Sequence, residues 1–266
     1  MTYVPLGFTE LAIAASLILI NALISLVFRL NLERMLLVAT LRMVGQLAAV
    51  GLVLKLVFDT TSPWVTLAVG LFMAAVAGFE AASRLERPYA GWQAYGLGAS
   101  TLLVTGLLAS LFVTFAVVGP QPWYQPRVLL PILGMVLGNA LTGVSLVLDT
   151  MSDVAARERG AIEGRLALGA TRFEAFEAVI ARALRTGLMP IVNAMAAAGV
   201  VALPGMMTGQ ILAGVEPIEA AKYQIMILFV IAGSTALAVI ATALGAVFLL
   251  TDDRHRLRLD RLTTAG

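Results

Sequence analysis

Met206, Met207 and Gln210 fall within about one helical turn of each other, directly after Pro204-Gly205. On a helix the two methionines stand four and three residues before Gln210, so two thioethers and an amide share one side. A proline inside an apolar run bends a helix and leaves a carbonyl without its helical partner. Thioethers, an amide oxygen and a freed carbonyl suit passing contact with a soft or borderline cation. Methionine is equally an adaptable packing residue, and residue types alone do not separate the two roles. Arg42, with Gln46 one turn further on the same face, is a second polar pair inside an apolar run. An ionisable group in hydrocarbon costs about 2.5–3.5 kcal/mol on insertion scales, so Arg42 must face protein or water. It is either a structural, snorkelling arginine or a pathway group that recognises an anion.

A different chemistry is written into 150–189, the longest polar stretch of the chain. Ile162, Leu166, Gly169, Phe173, Phe176, Ile180 and Leu184 recur at spacings of three and four, one helical stripe, with arginines and glutamates on the other faces. Gly169 and Thr171 interrupt it. Glycine suits the left-handed residue just past a helix end. Thr171 followed three residues later by Glu174 is a capping box that starts a new helix. The pattern predicts a helix, a sharp turn and a second helix, with Arg172, Phe173, Glu174 and Phe176 on its first turns. Such a hairpin either lies on a membrane surface or presents its two phenylalanines to the groove of a partner.

The elements that position these residues are membrane helices. Of 266 residues, 60% are apolar and 13% charged, with a mean hydropathy of +0.93. Ordinary soluble domains are about 45–50% apolar and about 25% charged, so this chain lacks the polar residues to cover a water-facing surface. A spanning helix needs about 20 apolar residues. Seven runs qualify or nearly do: Leu6–Phe28, Met35–Phe58, Trp64–Phe79, Leu97–Val118, Val128–Leu148, Leu188–Ala213 and Ile225–Leu250. No basic region or cleavage site precedes the first, which therefore reads as a retained span.

Charge sets the orientation. With the N-terminus outside, the inner segments hold Arg29, Arg34, Arg84, Arg87, Arg157, Arg159, Arg165, Arg172, Arg182, Arg185, Arg254, Arg256, Arg258 and Arg261. The outer segments hold only Lys55, Arg127 and Lys222. Fourteen against three is a strong positive-inside asymmetry. The expected architecture is an all-α polytopic membrane protein of seven transmembrane helices, N-terminus outside and C-terminus cytoplasmic. It is one transmembrane domain over 1–266, with the loop 150–189 between spans five and six. Gly119–Pro126 reads as an outer loop of turn-forming prolines with interfacial Trp123 and Tyr124.

Some chemistry is excluded. A Walker A loop needs Gly-x4-Gly-Lys-Ser/Thr, and the two lysines, Lys55 and Lys222, neither follow glycine nor precede Ser or Thr. Any ATP-driven motor must be another chain. The single His255 lies in the basic tail, away from any nucleophile in a span, and Asp149 has no second aspartate facing it from another span, so no intramembrane protease is expected. With no cysteine and no histidine in a span, a tight transition-metal cage is absent, which leaves weak, transient metal contact open. The basic residues gather at membrane boundaries, so nucleic acid is not an expected partner.

Four segments together carry a resemblance. They are Gly134-Met135-Val136-Leu137-Gly138-Asn139, the run from Glu163 to Ile180, Met189-Pro190-Ile191-Val192-Asn193, and Leu203-Pro204-Gly205-Met206-Met207-Thr208-Gly209-Gln210-Ile211-Leu212-Ala213-Gly214. The second resembles the EAA loop of ABC-transporter permeases. Glu163 and Gly169 keep the spacing, while Gly164 and Arg165 replace the two alanines. In order, the four segments resemble the FetB-type permease family, which includes bacterial iron exporters and plant aluminium-tolerance half-transporters. The resemblance implies a permease subunit in the inner (plasma) membrane that exports iron or a similar metal ion. It implies a homodimer bound to two copies of a separate cytosolic ABC ATPase, which carries the ATP-Mg, with no cofactor on this chain. The ATPase-coupling residues would be Glu163, Gly169, Thr171, Arg172, Phe173, Glu174 and Phe176. The pathway would draw on Arg42, Gln46, Asn139, Asn193, Pro204, Met206, Met207 and Gln210, with Met206, Met207 and Gln210 as candidate metal contacts. Another solute, such as a nucleotide sugar, stays open as cargo, as does a motor-free secondary transporter.

Overall fold

The computed structural model describes residues 7–60, 62–119 and 124–262, and its described residues form nine α-helices and no strands. Pro120, Gln121, Pro122 and Trp123 of the expected outer loop lie outside the described residues. Two compact units divide the chain, Met1–Thr61 and Ser62–Gly266.

The first unit is a helical hairpin of α1 (Phe8–Val27) and α2 (Glu33–Phe58). Its turn uses left-handed backbone at Arg29 and Asn31. Ser25 locks the turn: its hydroxyl donates to Glu33 Oε2 at 2.9 Å and accepts from the Leu32 N–H at 2.9 Å. Both helices are apolar and almost wholly exposed within the unit. Such a predominantly apolar surface needs hydrocarbon or protein against it.

The second unit contains α3 (Pro63–Ser83), α4 (Gln93–Phe112), α5 (Pro126–Arg157), α6 (Arg159–Ala167), α7 (Arg172–Ala197), α8 (Gly205–Leu212) and α9 (Pro217–Leu250). A wider π-type turn, Val113–Val118, extends α4. α5 is central and packs against α3, α4, α7 and α9. Small residues let the backbones close up, as at many membrane helix contacts. A Cβ built on Gly143 of α5 or on Gly187 of α7 would lie 2.9 Å from the other's carbonyl oxygen, and one on Gly78 of α3 would collide with Ala99 of α4. One large core cluster runs from Ala74 through Leu148 and Phe176 to Leu250. A second gathers Val113, Ile132, Val136, Ile191, Ile227 and Ile231.

Among the described residues, six helices are long and apolar enough to cross a membrane: α1, α2, α3, α4 with its extension, α5 and α9. The expected sixth span, Leu188–Ala213, is not one helix bent at Pro204. α7 begins back at Arg172, ends at Ala197, and is separated from α8 by a non-helical segment, 198–204. Gly199 there has φ +90°, and its N–H donates to Ala202 O, so the chain turns fully before Pro204 opens a new helix. The second helix of the polar loop and the first half of this expected span are therefore one continuous helix. Its five charged residues, Arg172, Glu174, Glu177, Arg182 and Arg185, keep it from reading as a span by composition.

The arginine-rich ends of the second unit meet at one end of the helices. The Glu86 N–H donates to Asp149 Oδ1 (2.9 Å), Arg87 pairs with Asp153 (3.6 Å) and Arg182 with Glu158 (3.1 Å). The segment after α9 folds back over the same end: Tyr89 bridges Leu262, and the Ala90 N–H donates to Arg261 O at 2.6 Å. Tyr89 is buried there, and burial, with the nearby Asp149 carboxylate, pushes its phenol well above the usual range.

Candidate functional site

The α6–α7 turn is the most completely built local structure in the molecule. Gly169 has φ +93°, the left-handed conformation that glycine adopts at no steric cost. Its N–H donates to Leu166 O (3.0 Å), and that of Ala170 donates to Arg165 O (3.1 Å), the double pattern of a Schellman cap. On the other side the capping box forms in both directions. The Glu174 N–H donates to Thr171 Oγ1 at 3.3 Å, and the Thr171 N–H donates to Glu174 Oε2 at 2.7 Å. These bonds from Thr171, backbone first, hold the Glu174 carboxyl below its ordinary range. Arg165 closes the turn by donating to Glu174 O at 3.3 Å. Glu163 pairs along its own helix with Arg159 at 2.9 Å.

This rigid turn carries an apolar tip that the stripe of spacings did not single out. Leu168 is 91% exposed, although apolar and flanked by glycine. Phe173 is 39% exposed and sets its edge on Phe248 of α9, with ring centroids 5.5 Å apart at 79°. Arg172 lays its guanidinium over the same ring at 5.0 Å. The expectation for Phe176 is corrected. It is completely buried in the main core cluster, three residues round the helix from Phe173, and has no surface to offer a partner. The stripe at 162–184 packs on the chain's own core with most of its length: Ile162 is buried, and Leu166, Ile180 and Leu184 border the same cluster.

The pathway candidates are dispersed. Arg42 and Gln46 lie one turn apart on α2, exposed, in the first unit. Asn139 is exposed on α5, and its amide donates to Met135 O (2.8 Å) on its own helix; Asn193 is exposed on α7. Pro204 is the N-cap of α8, and its carbonyl accepts from both the N–H and the hydroxyl of Thr208, at 3.0 and 3.1 Å. Met206 packs against the second core cluster. Met207 is half-buried, and the Oε1 of Gln210 is buried without a hydrogen-bond partner. Gln224 on α9, absent from the sequence-based set, shares this state: it is 7% exposed and its Oε1 is likewise unpartnered. α8 packs against α9, so two unsatisfied amides belong to one helix pair.

The comparisons with known proteins agree with this architecture. The model of the uncharacterised protein family UPF0014 matches residues 8–249. The UPF0014 membrane protein slr1647 of Synechocystis sp. is 37% identical over 80% of this chain and 81% of its own. The "Probable iron export permease protein FetB" of Escherichia coli is 31% identical over 95% of both chains. "Protein ALUMINUM SENSITIVE 3" of Arabidopsis thaliana is 32% identical over 89% of this chain and 84% of its own. No solved structure matches the chain. With relatives named as membrane proteins and six helices fit to cross a bilayer, this is a multi-pass membrane protein. The family match spans both units and includes the capped turn and the α7–α8 break; the chain is a member of the UPF0014 family, as the FetB-type resemblance of its motifs implied.

Proposed function

We infer that the chain is the membrane permease subunit of an ABC transporter that exports iron or a similar metal ion, driven by a separate cytosolic ATPase. The observation that carries this reading is the α6–α7 turn: a doubly capped, water-compatible scaffold holding one fully exposed leucine beside a half-exposed phenylalanine. An exposed large apolar tip on a rigid support fits a groove on a partner better than it fits water. The name of the Escherichia coli relative supports metal export. The arginine-rich end faces the cytoplasm in this reading, as the positive-inside rule requires.

Seven crossings follow if α7 is counted with the six apolar helices. The chain leaves the arginine-rich end at Arg172 and must reach Pro217, at the far end of the 34-residue α9, through α7 and α8. One chain carries one docking turn, while ABC motors close as pairs around two nucleotides. Two copies of the permease, related by a two-fold axis, therefore stand on two copies of the ATPase.

The test is Leu168→Asp in a chain co-expressed with its cognate ABC ATPase and purified in detergent. The variant is expected to remain folded, because nothing packs on Leu168, and to lose the ATPase. Retention of the ATPase at full occupancy overturns the docking reading. For the cargo, cells expressing the pair should hold less iron than cells without it, and equal iron content sinks the substrate assignment.

A further inference from the structure

The segment after α9 reaches the docking turn from 83 residues away in sequence. His255 Nδ1 accepts the backbone N–H of Arg172, the first residue of α7, at 3.2 Å. At a helix start that N–H has no intrahelical partner, so an acceptor supplied by another element fixes where the helix begins. His255 is itself held in an unusual conformation, φ +56°, and its own N–H donates to Asp252 O. Asp252 organises this bend. Its carboxylate accepts the N–H groups of Arg254 and Arg256, both at 2.9 Å, and pairs with the Arg256 guanidinium. Those bonds, led by the Arg256 N–H, pull its pKa down to about 2. The base of the segment is tied to α9 as well: Arg261 donates to Leu249 O at 2.9 Å, and the Arg258 N–H donates to Leu250 O at 2.8 Å.

We propose that this segment is a clasp that fixes the docking turn to the end of α9, with His255 as its positioning residue. Phe248, in the last turn of α9, touches both Phe173 and Arg172, so the first two residues of α7 are held from two sides. A push on the turn then reaches α9 directly, as well as through α7. The role in docking rests on the function proposed above, whereas the clasp itself does not.

Three variants separate the parts. His255→Gly relieves the left-handed backbone and removes the acceptor; His255→Asn tolerates the same backbone and offers an amide oxygen at the position of Nδ1. Hydrogen exchange over 168–176 in the isolated permease is expected to speed up about fivefold in the glycine variant, the size of one typical hydrogen bond, and to return to the wild-type rate with asparagine. Binding of the co-expressed ATPase should weaken by about the same factor with glycine and recover with asparagine. Unchanged exchange in His255→Gly overturns the clasp. Faster exchange with undiminished ATPase binding overturns its part in docking. Leu168→Asp, run alongside, tells the two readings apart: if it keeps the ATPase, the docking function has failed, and the exchange data still decide the clasp.

Discussion

Between α6 and α7 the helix is broken over 168–171; between α7 and α8 it is broken over 198–204. At the first break two caps, a bond from Arg165 and an acceptor from His255 engage the turn. At the second, the turn is closed by backbone bonds, the N–H groups of Val201 and Ala202 both donating to Ala197 O, and the Thr208 hydroxyl adds a side-chain bond only at its far end, on Pro204 O. The side chains there are apolar and outward, Val200 at 93% and Val201 at 84% exposed. Side-chain hydrogen bonds hold a shape in water, whereas apolar side chains around a bare turn sit without penalty only against lipid tails or protein. The same device, an interrupted helix, is thus built once with polar side-chain bonds and once with an apolar exterior.

The contrast can be broken experimentally, and the largest effect belongs to the core beneath the first turn. Phe176→Ala should destabilise the second unit by about 3–5 kcal/mol, the usual loss for a buried phenylalanine, read as a lower unfolding temperature in detergent. If it behaves like a surface change, the ring is not the buried anchor described. Gly169→Ala comes next. A methyl group on a left-handed residue costs about 1–2 kcal/mol, so the α6–α7 turn should show faster hydrogen exchange while the α7–α8 break is untouched. Replacing Met206 and Met207 together by leucine should cost less than about 1.5 kcal/mol per site and lower metal export if Met207 meets the cargo. Export at the wild-type rate assigns both thioethers to packing.

The smallest effect is acidic. Asp252 has a folded pKa of about 2 against an ordinary 3.8, so its contribution to the clasp is present in full above about pH 4 and fades as pH falls toward 2. Protection factors around 252–256, with the intrinsic pH dependence of exchange divided out, should fall over that window and be flat above it.

How much of this could be read from residues follows sequence distance. Thr171 and Glu174 lie three apart and Gly169 two before, so their turn was legible: each cap is made by neighbours. The helical stripe through Phe176 was equally legible, but periodicity reports only that a face is covered, and here the cover is the chain's own α5 and α9. Leu168 carries no signal of its own, since an exposed leucine and a buried one are the same letter. His255 meets Arg172 across 83 residues, and α9, which carries Gln224, packs on α8 only after the left-handed Gly214. The run 188–213 misled because it is mostly apolar and carries no charged residue. Pro204 was visible, yet the turn is completed earlier, at Gly199.

The touching backbones of Gly143 and Gly187 make α7 a lever with a fixed fulcrum. Gly187 lies fifteen residues from Arg172 and ten from Ala197, arms of about 22 Å and about 15 Å at 1.5 Å per residue. A tilt of a straight α7 about that point moves Ala197 in the opposite sense to the α6–α7 turn and through about two-thirds of the distance. Pro190 lies on the shorter arm, where a proline inside a helix removes a backbone bond, so bending there is what would uncouple the two ends.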